Sequence, residues 1–185
     1  ELRTARHIVV LAVVSVIGGG IGALMLLRTP PVTFDHLIPF LLLLATLLFT
    51  FSPAMTARLR RYAAHKHESS WRVLVGVAVV QLVIATYGGF FGGGIGILML
   101  ASLALMGMED IHRMNAVKTL LAACINGVAV ITFLLAQAVV WPQVGVMVVG
   151  GVLGGYVGAS SARRLDPKLV RQVVTVVGFA LTLYF

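Results

Sequence analysis

Carboxylates are scarce in this chain of 185 residues: six Asp and Glu stand against 14 Lys and Arg. Apart from Asp35, at the start of the second apolar run, none falls inside a long apolar stretch, so a buried carboxylate relay for protons is missing. Cysteine is nearly absent as well. The single Cys124 rules out an intrachain disulfide and, within an apolar run, reads as a packing residue. No His, Asp, Glu and Ser constellation sits within the apolar runs, which disfavours a membrane-embedded enzyme. The pair His65-Lys-His67 lies on a polar stretch with no acidic or thiol ligands around it, so no metal site is expected there.

Apolar residues fill the space the charged ones leave. The chain is 59% hydrophobic and 11% charged, with a mean hydropathy of +1.03. Stretches 8–27, 34–51, 118–140, 144–160 and 169–185 approach the ~20 apolar residues needed to cross a bilayer. The expected class is therefore all-α, a polytopic helical membrane protein. The net charge of +8 gathers between spans, at Arg3 and Arg6, at Arg58, Arg60, Arg61, Lys66 and Arg72, and at Arg163, Arg164, Lys168 and Arg171. That distribution is the positive-inside pattern and requires no nucleic acid.

A sixth apolar run, 71–107, is broken at its centre by Tyr87-Gly-Gly-Phe-Phe-Gly-Gly-Gly-Ile-Gly96. Each glycine disfavours helix by about 1 kcal/mol relative to alanine. Irregular backbone at membrane depth survives only where protein buries it or where it lines a cavity, and broken helices are where many transporters hold their cargo. The expectation is a glycine-broken helix, re-entrant or folded as a hairpin, with its chemistry at the tip.

An internal repeat accompanies it. Displacing the sequence by 136 residues aligns Gly18-Gly19 with Gly154-Gly155, Gly22-Ala23 with Gly158-Ala159, Arg28 with Arg164, Pro31 with Pro167 and Phe49 with Phe185. With the basic 52–72 stretch in the cytoplasm, a hairpin at 71–107 also puts Arg3, Arg6, Arg113, Lys118 and Arg163-Arg164 inside, and the two copies become an inverted repeat. The expected organisation is 1–51 as the end of a first repeat of two spans, 52–72 as a cytoplasmic basic linker, and 73–185 as a second repeat of a broken helix pair plus three spans. A counterpart of the glycine run would lie about 50 residues before Glu1, which suggests a fragment.

The segment Gly89-Phe-Phe-Gly-Gly-Gly-Ile-Gly-Ile-Leu-Met-Leu100, then Asn115-Ala-Val-Lys-Thr119, then Gly154-Gly-Tyr-Val-Gly-Ala159 before Arg163-Arg-Leu-Asp-Pro167 resembles the sulfite exporter TauE/SafE family of permeases. The resemblance implies a multi-pass protein of the cytoplasmic membrane that moves sulfite, sulfonates or similar small sulfur-containing anions.

The residues point to where such an anion would sit. A helix starting near Gly94 to Gly96 would aim free N–H groups and a positive dipole end at the tip, and glycine lets a ligand approach the backbone. Gly92, Gly93, Gly94 and Gly96 are thus the first candidates; close helix packing is the alternative use of such glycines. Lys118 stands at the entrance to an apolar helix with Asn115 one turn before it and Asn126 two turns after, on one face. It either faces a cavity or snorkels to the interface. Thr86 and Tyr87, on the arm leading to the tip, carry hydroxyls that could donate to an anion, whereas Gln81 could equally bond another helix. Glu109-Asp110 should cap the helix that follows.

An anion leaving a negative-inside cell gains about 2.3 kcal/mol per charge per 100 mV, so export by alternating access needs no built-in proton carrier. No cofactor is expected. The expected partners are a small anionic substrate and the lipid bilayer, and a homodimer is compatible. A non-transporting membrane scaffold subunit is the competing reading.

Overall fold

The computed structural model describes residues 2–63, 71–106, 108, 110–162 and 166–184. All the regular structure among them is helical: α1 Leu2–Arg28, α2 Pro31–Ala63, α3 Trp71–Phe90, α4 Ile95–Leu105, α5 Ile111–Leu135, α6 Trp141–Ala162 and α7 Pro167–Tyr184.

Local chemistry sets the ends. Proline stands first in α2 and α7, where its missing N–H has no intrahelical partner to lose. Asp110 caps α5, its carboxylate accepting from the His112 amide at 2.9 Å, and Asp166 accepts from the Lys168 amide at 2.8 Å at the head of α7. Glu109, the other expected cap, lies outside the described residues, as does the His65-Lys-His67 segment. α2 runs on to Ala63, so the first part of the expected 52–72 linker is helix rather than loop.

Among the described residues four helices are long and apolar enough to cross a membrane: Arg6–Arg28, Pro31–Ser52, Ile111–Leu135 and Trp141–Ser161. The chain is a multi-pass helical membrane protein. α7, 18 residues long, is not among the four; Lys168, Arg171 and Gln172 occupy its first turns and shorten its apolar stretch. Neither apolar part of the broken run, Leu74–Phe90 or Ile95–Ala104, reaches spanning length. At 1.5 Å per residue the second is about 15 Å long, half of a ~30 Å hydrocarbon core.

One core joins α1, α3, α4 and α5. Leu11 of α1, Val77, Ile84 and Ala85 of α3, Ile95, Met99 and Leu103 of α4, and Met114, Leu121 and Ile125 of α5 are buried together. α1 lies on α3 in parallel, as three levels along the pair show. The Gln81 amide donates to the Ser15 hydroxyl at 2.8 Å; one turn on, a Cβ at Gly18 would sit 2.7 Å from Ala85 Cβ; a turn further, one at Gly22 would sit 2.7 Å from the Phe90 nitrogen. α4 then returns beside α5. Its first residue, Ile95, shares with Ile125 the space over Gly88, midway along α5, while its last residue is only a short connection from the α5 start.

α2 packs on α4 and α7. Thr46 meets Gly178 and the Thr50 and Thr175 hydroxyls lie 3.4 Å apart, so α2 and α7 run antiparallel; Arg171 donates to the Thr50 carbonyl at the same level. Among the described residues α6 packs extensively against no other helix, and none of its apolar window is buried.

Candidate anion site at the glycine turn

α3 ends at Phe90 and α4 starts at Ile95, and the four residues between make the reversal. Gly92 and Gly94 hold φ of 80° and 77°. An L-residue in that left-handed region costs about 1–2 kcal/mol, so glycine is the residue that permits this turn. The Phe91 and Gly92 amides both donate to the Tyr87 carbonyl, at 2.9 and 3.3 Å, closing the end of α3. Gly93 and Gly94 rest on α2: a Cβ at Gly93 would lie 3.2 Å from Ala45 Cβ, and one at Gly94 3.5 Å from Ala45 Cα.

α4 has no side-chain cap at Gly94. The Ile97 amide turns back to the Gly94 carbonyl at 3.1 Å. Helix geometry leaves the Ile95 and Gly96 amides without an intrahelical acceptor, and with them the positive end of the dipole. Lys118 approaches from α5, its Cδ 3.5 Å from where a Gly96 Cβ would be. Its ammonium donates to Asn115 Oδ1 at 3.1 Å, and both side chains are half-buried. The structure thus brings Lys118, held by Asn115, beside Gly96, two residues past the end of the glycine turn at 92–94.

The other candidates are placed differently. Thr86 turns its hydroxyl back to the Leu82 carbonyl at 2.9 Å. Tyr87 packs its ring against Phe91, centroids 6.1 Å apart, and its hydroxyl is buried with no hydrogen-bond partner. Asn126, two turns beyond Lys118, lies on the exposed side of α5. Gln81 bonds another helix through Ser15, and its Oε1 is buried without a partner.

Sequence reasoning passed over Ser15 and Ala45. The position of Ser15 one turn before Gly18, on the face that turns out to meet α3, was the available signal; Ala45, a small residue in an apolar run, offers none. A recess of about 410 Å³ lined by Met25, Leu82, Val83, Thr86, Tyr87 and Phe90 opens to the outside and carries no charged group, which suits an acyl chain rather than an anion. Among the described residues no cluster of three or more His, Cys, Asp or Glu could hold a metal ion.

Comparison with known proteins decides the wider assignment. The sequence profile described as "Sulfite exporter TauE/SafE" matches residues 3–185. The chain belongs to the sulfite exporter TauE/SafE family. It is 29% identical over 167 residues to a "Probable membrane transporter protein" of Haemophilus influenzae, covering 90% of this chain and 62% of that protein. It is 26% identical over 173 residues to "Probable membrane transporter protein ORF9" of Sinorhizobium sp., covering 94% of this chain and 64% of that one. The chain thus spans a little under two thirds of the length of these curated relatives. No solved structure matches it significantly.

Proposed function

We propose that this TauE/SafE family member forms the larger part of a transporter that carries a small sulfur-containing oxyanion, such as sulfite or a sulfonate, out across the cytoplasmic membrane. The observation that carries the reading is the uncapped start of α4 at a half-buried, left-handed glycine turn, beside the half-buried Lys118. Amides fixed in place and a nearby ammonium offer charge-assisted hydrogen bonds to oxyanion oxygens without a reorganisation cost. The family membership and the printed names of both relatives support transport. The basic clusters at the ends of the spans support an orientation in the cytoplasmic membrane. Asp35, near the start of Pro31–Ser52, is the one carboxylate within the four described spans, and the membrane potential supplies the drive for export. The self-alignment at 136 residues supports an inverted repeat, the arrangement that alternating access uses. A scaffold would have no use for an uncapped helix start beside a half-buried lysine.

Flux of labelled sulfite in proteoliposomes tests it. Gly93→Val drives a branched side chain into the Phe91 ring and toward Ala45 and should cut flux at least tenfold at unchanged protein level. Lys118→Gln should cut it about tenfold, the loss of one charge-assisted contact of roughly 1.5 kcal/mol. Wild-type flux in both variants would remove the site, and flux equal to protein-free vesicles would remove the transporter.

A further inference from the structure

We propose that the cleft where α2 and α7 meet at Arg171 binds the phosphate of an acidic phospholipid headgroup. Arg171 is half-buried between the two helices, and its guanidinium donates to the Thr50 carbonyl of α2. By helix geometry that carbonyl already serves the Ala54 amide, so the acceptor is shared. The Thr50 and Thr175 hydroxyls lie 3.4 Å apart, one turn further along α7. No carboxylate completes the charge. Of the three among the described residues, Asp110 caps α5 and the exposed Asp166 caps α7. Asp35 lies about four turns earlier in α2, roughly 22 Å along that helix.

Cations gather there instead. Lys168 is exposed one turn before Arg171. The antiparallel pairing of Thr46 with Gly178 and of Thr50 with Thr175 carries the part of α2 that holds Arg58 and Arg61 out along the α7 start. Depth then identifies the ligand. The apolar span of α2 ends at Ser52, so Thr50 lies about 3 Å inside that end, at the border between acyl chains and headgroups. Phe51 and Val174, next in sequence to the two threonines, are 61% and 44% exposed and offer apolar surface to acyl chains. A phosphodiester accepts two parallel hydrogen bonds from a guanidinium, and neighbouring hydroxyls add to them. The positive-inside pattern assigns this end to the cytoplasmic leaflet, where basic recesses between spanning helices hold anionic headgroups. The inference rests neither on the repeat nor on the anion site. A purely structural tie between α2 and α7 would be indifferent to the charge of the lipid, and that difference is measurable.

Native mass spectrometry of the purified protein, titrated in detergent with dioleoylphosphatidylglycerol or dioleoylphosphatidylcholine, tests it. Phosphatidylglycerol should bind about fivefold more tightly than phosphatidylcholine. Arg171→Gln should remove that preference. Lys168→Gln, at an exposed position, should weaken it about twofold and gives the reading if Arg171→Gln does not fold. Arg113→Gln removes an exposed cation at the start of α5 and should leave the preference unchanged. Equal binding of the two lipids by the unaltered protein, or an unchanged preference in the folded variant at 171 or 168, overturns the proposal. A loss in Arg113→Gln as large as in the cleft variants would mean attraction by net charge without a site, and overturns it too. Millimolar inorganic phosphate or sulfite should displace no lipid; displacement by either would make the cleft a site for a free anion and would equally overturn the proposal.

Discussion

α1 and α6 carry the same small-residue pattern, Gly-Gly-x-x-Gly-Ala, and end in opposite surroundings. In α1 Gly18, Gly19 and Gly22 are buried against α3 and α5; in α6 Gly154, Gly155 and Gly158 meet nothing. Glycine spacing therefore encodes a capacity for close approach, and only a partner turns that capacity into contact. α1 adds a polar tie that α6 lacks, for Ser15 holds Gln81 where the equivalent of Ser15 is Gly151. A third use of glycine appears at the turn, where Gly92 and Gly94 serve dihedral angles rather than proximity.

Five substitutions separate these uses. Gly22→Ala should have the largest effect, because its methyl cannot coexist with the Thr86 carbonyl; the backbones must part, at about 3 kcal/mol. The midpoint of unfolding in mixed detergent micelles reads it against Gly158→Ala. On the bare α6 of these residues that change should stabilise by up to ~1 kcal/mol through helix propensity. A loss at Gly158 as large as at Gly22 would show that α6 is covered too.

Gly92→Ala should cost about 1–2 kcal/mol from its left-handed φ. Its effect should also appear in sulfite flux, which Gly22→Ala would disturb only through stability. Ser15→Ala should cost about 1 kcal/mol by leaving the buried Gln81 amide without its acceptor. A double-mutant cycle with Gln81→Leu checks that the loss belongs to the pair. Gly20→Ala should be smallest, within about 0.5 kcal/mol of wild type or slightly stabilising. Its methyl would meet Val128 Cγ2 at an ordinary 3.7 Å. A large loss there would mean that α1 packs more tightly on α5 than the structure shows.

Much of the fold was legible in the letters because it depends on local quantities. Apolar length located α1, α6 and the start of α2 within about six residues, but set α5 at 118–140, seven residues late at its start. Asp110 named the start of α5, and Pro31 and Pro167 stand where α2 and α7 begin. The reach of α2 to Ala63 was not legible, since the basic residues from Arg58 onward read as a loop when charge alone is considered. The candidate site was legible as a set of glycines and a lysine. That Lys118 stands over Gly96 with Asn115, while Asn126 faces outward and Thr86 bonds its own helix, depends on the rotation of α5 and α3 about their axes.

Hydropathy, proline and capping residues act within one or two turns of chain, and so the order of these letters was enough to determine a multi-pass helical protein with a broken apolar segment. The pairing of helices is a property of two surfaces at once. Whether Gly22 meets a carbonyl, whether Ser15 finds Gln81, and whether Ala45 sits beneath the turn are decided by segments distant in sequence. In a bilayer the hydrophobic effect does not choose among apolar faces; close packing and the few polar ties do. Those choices belong to the tertiary structure, which made α1 a core helix and left α6, with nearly the same glycines, an open face.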